Sequence, residues 1–141
     1  STLIYIPTFR QITKWRSKKM RRTTNIYKAL SDSNRLRILM MLKEKPLCVC
    51  EMVDILTLAN STVSKHLSVL RNAGLILDEK NGRWVNYRLA NTSESQDIQP
   101  VLTHLEKQLQ DDEQIVLDRK KLIGVDRYSI CSSTPVKDEK L

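Results

Sequence analysis

Apolar residues along this chain recur mainly at intervals of three and four, and at intervals of two in only one stretch. The pattern predicts a mostly helical protein with a single β-hairpin. In residues 31–45, SDSNRLRILMMLKEK, the side chains of Leu36, Leu39 and Met40 share one helical face with Lys43 outside it. Ser33 is the expected cap and Pro46 the stop. In residues 48–76, Met52, Ile55 and Leu56 predict a short helix, and Thr57-Leu58-Ala59-Asn60 a break. Asn60 or Ser61 then caps a second helix with Val63, Leu67 and Leu70 as one stripe, closed by Ala73 and Gly74. Two short helices across a tight break read as helix-turn-helix.

The one alternating stretch follows at once. Asn81-Gly82 is a hairpin signal, with Ile76 to Lys80 as the left arm. On the right arm Trp84, Asn86 and Arg88 face one way, and Val85, Tyr87 and Leu89 the other. A hairpin in this place is a wing. From 95 to 124 an amphipathic helix is expected, with Pro100 in its first turn and Ile98, Val101, Leu102, Leu105 and Leu109 as its stripe. The acidic run at 111–113 interrupts it and it resumes at Val116. Its apolar face exceeds what a small domain has to cover, which makes it a candidate dimer contact. Ahead of all this, residues 10–30 read as basic helix with weak faces at Ile12, Trp15, Ile26 and Leu30. The expected division is a basic extension over 1–24, a winged helix-turn-helix core over 25–94, a dimerisation helix over 95–124, and a tail over 125–141 that carries Cys131.

Charge sharpens the functional reading. The chain of 141 residues carries a formal net charge of +8. Residues 1–45 hold twelve Lys/Arg against Asp32 and Glu44 alone, so the excess is concentrated at one end. A basic end on a helix-turn-helix points to a polyanion, double-stranded DNA. No run approaches the roughly 18 apolar residues of a membrane span, and the apolar start STLIYIPTF lacks a basic leader, so a cytoplasmic protein with no membrane partner is expected. There is no Ser/His/Asp set and no nucleotide loop, so neither an enzyme nor a small organic substrate is expected.

The reader helix STVSKHLSVLR, 61–71, turns Ser61, Thr62, Ser64, Lys65 and Ser68 outward, with Asn60 at its start. Short hydroxyls and unbonded N–H groups there suit phosphates and base edges, and Lys65 suits phosphate or guanine. His66 fits either an outer DNA contact or an inner packing role. Arg83 at the hairpin tip, with Lys80 and Asn81, suits the minor groove or a phosphate.

Two of the three cysteines stand one residue apart in LCVCE, 47–51. As a structural pair they are small buried hydrophobes. As a metal or metalloid pair they sit where a loop enters a helix, a place that favours thiolate. Residues i and i+2 of a regular helix point about 200° apart, so Cys48 and Cys50 converge only where the helix start is extended. Trivalent arsenic and antimony, cadmium and lead are soft enough to prefer such thiolates. As a redox pair, either one could join Cys131. Three cysteines do not make a disulfide framework.

The segments ALSDSNRLRILMML, LCVCEM, STVSKHLSVLRNAGLI and GRWVNYRLA together resemble the arsenical-resistance repressor (ArsR/SmtB) family of winged-helix metal sensors, and its arsenic-responsive branch above all. The resemblance implies a homodimer joined by terminal helices, which binds operator DNA without a cofactor and releases it when the effector binds at Cys48 and Cys50. The matching arsenic pattern is Cys-x-Cys-x-x-Cys, and its third place here is Val53. Cys131, from the same or the partner chain, or an exogenous ligand would have to complete a three-coordinate site. The family's other site, for zinc between terminal helices, needs acid–histidine pairs that Asp97 and His104 do not supply. Two other readings stand: a repressor responding to thiol redox or persulfide, and a winged-helix dimerising module without effector.

Overall fold

A computed structural model of the chain describes residues 4–125, and for residues 11–17 the backbone alone. The faces expected of Ile12 and Trp15, and the tail with Cys131, lie outside the described residues. Helix α1 (Phe9–Leu30) runs straight through the boundary expected at 24/25. It docks by its C-terminal half, where Ile26 and Ala29 are buried.

Helix α2 (Ser33–Glu44) is the centre of the fold. Five consecutive residues, Ile38 to Leu42, are buried, because other elements pack around it on several sides. The single face expected of Leu36, Leu39 and Met40 is therefore too narrow, and Leu36 is only half-buried. Its cap is Asp32 and not Ser33. The Asp32 carboxylate accepts from the Asn34 and Arg35 amides at 2.8 and 3.1 Å, two donors that a helix start leaves unbonded.

Helices α3 (Val49–Leu56) and α4 (Asn60–Asn72) form the helix-turn-helix. Between them Thr57 takes the left-handed conformation at φ 54°, a strained position for a β-branched residue. The α4 stripe is as expected: Val63, Leu67 and Leu70 are all buried. So is its end. Gly74, at φ 78°, donates to the Arg71 carbonyl, and Leu75 donates back to Leu70 at 3.1 Å, which is a Schellman motif over two buried leucines.

Strands β1 (Ile76–Asn81) and β2 (Trp84–Leu89) pair antiparallel, Ile76 opposite Leu89 and Asn81 opposite Trp84. The two-residue turn is thus Gly82-Arg83, one residue later than Asn81-Gly82 predicts. Gly82 alone has positive φ, 63°, as a Gly-first turn requires. Tyr87 and Leu89 pack on the helices, so the core fixes the alternation and the turn follows. Leu47 joins the wing's far edge, exchanging hydrogen bonds with Tyr87 at 3.0 and 2.8 Å.

The helix expected over 95–124 is two helices, α5 (Gln99–Leu109) and α6 (Glu113–Gly124). The acidic run ends one and starts the next. Asp112 accepts from the Gln114 and Ile115 amides, an alternative to continued helix that Asp offers readily. Helix α6 folds back on α2, where buried Asp118 takes both Nε (2.8 Å) and Nη2 (2.9 Å) of Arg37. Ile98, expected at a dimer face, is fully buried in the chain's own core. Leu102 and Leu105 pack against that core, and Val101 and Leu109 are half-buried.

The wing base is latched by charge. Arg88 reaches Glu79 at 2.8 Å and both oxygens of Glu94 at 2.8 and 2.7 Å. The bonds from Arg88, with one from the Asn91 amide, hold the Glu94 carboxyl down at about 2. A depressed carboxyl contributes fully above its ordinary value of about 4.5 and loses its contribution as pH falls toward about 2. Acidification through that window should loosen the wing base, read as faster amide exchange in β2, and Glu94→Gln should remove the pH dependence there. Equal acid sensitivity in the variant would contradict the latch.

Candidate nucleic-acid interface and thiol pair

The reader helix presents Asn60, Ser61, Lys65 and Ser68 to solvent, with Thr62 and Ser64 half-exposed. Neither Asn60 nor Ser61 caps it. The N-cap is Ala59, which has no side chain to offer the first amides. That leaves the helix start open to an acceptor from outside, which is how helix N-termini take phosphate. Ser64 Oγ leans on Asn60 Oδ1 at 3.4 Å, which ties two of the outward groups together.

His66 lies inward of this row. It is half-buried, and its Nδ1 is 3.2 Å from Arg35 Nη1. Across the tight turn of the wing, Lys80, Asn81 and Arg83 are exposed. The Arg83 guanidinium lies 4.6 Å from the Trp84 ring centroid, a cation–π stack that presents the charge at the tip in an ordered pose. Sequence reasoning placed Arg83 at the tip but missed Trp84 as its platform. The adjacency of the two is the signal that was available.

The thiols sit at the start of α3. Cys48 is the N-cap of α3, in extended conformation (φ −92°, ψ 168°), and 4 % exposed. Its amide donates to Glu51 Oε1 at 2.9 Å, and its sulfur faces the Glu51 amide in return. This is a capping box with cysteine in the place of serine. Glu51, itself buried, was not singled out from the sequence, although the Cys-x-x-Glu spacing is that of the box. Reading the cysteines as buried hydrophobes thus describes the burial of Cys48 but not its work. The extended backbone at Cys48 also means that the departure from helix needed for two sulfurs to approach is built in. Cys48 keeps its thiol, whereas half-buried Cys50 is disulfide-bonded, in line with the redox reading of the pair. Cys131 lies outside the described residues.

No group of three His, Cys, Asp or Glu residues placed to hold a metal ion occurs among the described residues. Asp97 is taken up by Arg22, whose hydrogen bond lowers its carboxyl, and His104 is exposed on α5. Among the described residues no helix is long and apolar enough to cross a membrane.

A helix-turn-helix with a polar, uncapped second helix, followed by a hairpin with a stacked arginine at its tip, defines a winged helix-turn-helix protein. Residues 32–77 match the family described as "Bacterial regulatory protein, arsR family". The chain is 44% identical over 66 residues to the arsenical resistance operon repressor of Escherichia coli K12, covering 46% of this chain and 56% of that one. It is 36% identical over 75 residues to an HTH-type transcriptional regulator of Methanocaldococcus jannaschii, covering 52% and 84%. Among solved structures it is similar to HlyU from Vibrio cholerae N16961, with a TM-score of 0.57 and 30% identity over 67% of this chain and 98% of that one. The chain belongs to the ArsR/SmtB family of winged-helix transcriptional regulators. The match spans just over half of the first arsenic-related relatives, 56% and 51% of their lengths.

Proposed function

We propose that this protein is a repressor that binds operator DNA as a homodimer and, with the Cys50 disulfide reduced, releases it when trivalent arsenic or antimony, or cadmium, is captured at Cys48 and Cys50. One observation carries the reading. Cys48 caps α3, the first helix of the DNA reader, and the residue before it, Leu47, is bonded on both sides to Tyr87 of the wing. A ligand that takes the sulfur from its cap therefore acts on both DNA-contacting parts at once. Soft thiophilic ions suit the chemistry of the donors. The third place of the arsenic pattern is held by Val53, so Cys131 or a ligand from solvent completes the set. Similarity to the arsenical resistance operon repressor supports this choice of effector.

A second copy would cover the half-exposed side of α5 at Val101 and Leu109, together with Met20 and Tyr27, which are exposed on α1. Contacts by Lys65, Lys80 and Arg83 make binding salt-dependent. In fluorescence anisotropy on a duplex selected by the protein from a random pool, Arg83→Ala should weaken binding about tenfold and flatten the salt slope by about one per subunit. Unchanged affinity and slope would remove the wing tip from the interface. Release of the duplex by arsenite or antimonite supports the effector, and release by zinc alone sinks it.

The disulfide at Cys50 favours one further reading, a thiol redox repressor. Release driven by peroxide and reversed by dithiothreitol, with no response to arsenite, would select it.

A further inference from the structure

Arg35 occupies a junction that the DNA contacts themselves do not explain. Its Nε donates to the Ala29 carbonyl at 2.7 Å and its Nη2 to the Lys28 carbonyl at 3.1 Å, closing the end of α1. Its remaining arm, Nη1, reaches His66 Nδ1 at 3.2 Å on the reader helix. Guanidinium nitrogens only donate, so the Nδ1 that meets Arg35 must carry a lone pair. The proton of neutral His66 is then on Nε2. That nitrogen has no hydrogen-bond partner among the described residues, and it is not among the buried atoms left unsatisfied, so it is open to solvent. It sits one residue from Lys65 and one helical turn from Thr62, beside the outward row.

We infer that Arg35 is a positioning residue of the reader helix: it fixes His66 as an Nε2–H donor, so His66 meets DNA only through an acceptor, a phosphate oxygen or a base-edge N7, O6 or O4. The exocyclic amines of adenine and cytosine, being donors, are excluded as partners of this side chain. The inference rests on the DNA-binding reading for its second half only. Arg35 and the tautomer can be tested without DNA.

Long-range ¹H–¹⁵N spectra of the full chain separate the two halves, with His104→Gln used to assign the two histidines. His66 should give the Nε2–H pattern, and Arg35→Met should give a mixture of tautomers. Should Arg35→Met fail to fold, Arg35→Lys serves, because one ammonium cannot span three acceptors in fixed geometry. An Nδ1–H pattern in the parent, or an unchanged pattern in the folded variant, overturns the role of Arg35. On the selected duplex His66→Gln should bind within about threefold of the parent and His66→Leu about tenfold more weakly. Glutamine can turn its oxygen to Arg35 and its NH₂ outward, as the fixed tautomer does. Equal binding by His66→Leu overturns the DNA contact. Methylphosphonate and 7-deazapurine or 4-thiothymine substitutions then locate the acceptor, at the position whose penalty disappears in His66→Leu. If no position couples to His66, the donor role falls. Recovery of no duplex at all sinks the repressor reading and the DNA half together, while the spectra still judge Arg35.

Discussion

Replacing Asp118 by alanine should lower folding stability by about 3 kcal/mol. Asp118 is buried, and its carboxylate accepts from Arg37 twice and from Gln114 Nε2 at 2.9 Å. Removing it leaves a guanidinium whose side chain is 17% exposed without its anion, and a pair that ties α6 to α2 is gone. Partial access of Arg37 to water, and its bond to Asn34 at 3.2 Å, place the loss at the low end of the range for buried pairs. Asp118→Asn keeps the acceptor shape without the charge and should lose about half as much. The double change Arg37→Met with Asp118→Leu should return most of the stability, because two apolar groups leave nothing unsatisfied. Urea unfolding at fixed protein concentration reads all three. A loss under about 1 kcal/mol for Asp118→Ala would mean that the pair behaves as a surface ion pair and that α6 is not locked.

The second large effect concerns response and not stability. Cys48→Ser should leave folding and DNA affinity nearly unchanged, because serine is a preferred N-cap and completes the box with Glu51. The same change should raise the arsenite needed for release by at least about 100-fold, beyond what altered outer contacts of a site alone produce. Serine keeps the cap and loses the soft ligand. Cys48→Val removes both, and should destabilise α3 as well.

Much of this fold was legible because it depends on neighbours in sequence. The stripe of Val63, Leu67 and Leu70, the Gly74 closure and the alternation of Tyr87 and Leu89 follow from period and turn chemistry. Reading failed where two local preferences competed. Asn81-Gly82 is a good turn by itself, but the core register of β2 moves the turn to Gly82-Arg83. Asp112 could end a stripe or start a helix, and it does the second. Contacts between distant residues were not legible at all: Leu47 with Tyr87, Arg37 with Asp118, and Arg35 with His66. The same division holds at the site. The outward row of α4 was read from one helix, whereas the place of Cys48 as a cap needed the turn of backbone that only the folded chain supplies.

The central claim is that Cys48 couples a captured thiophile to DNA release. Its most direct measurement is an arsenite titration of the fully reduced, duplex-bound protein, followed by anisotropy, for the parent chain and Cys48→Ser side by side. The account predicts full release of the parent, with the variant still bound at the highest arsenite used. Release of both at the same arsenite, or of neither, would contradict it.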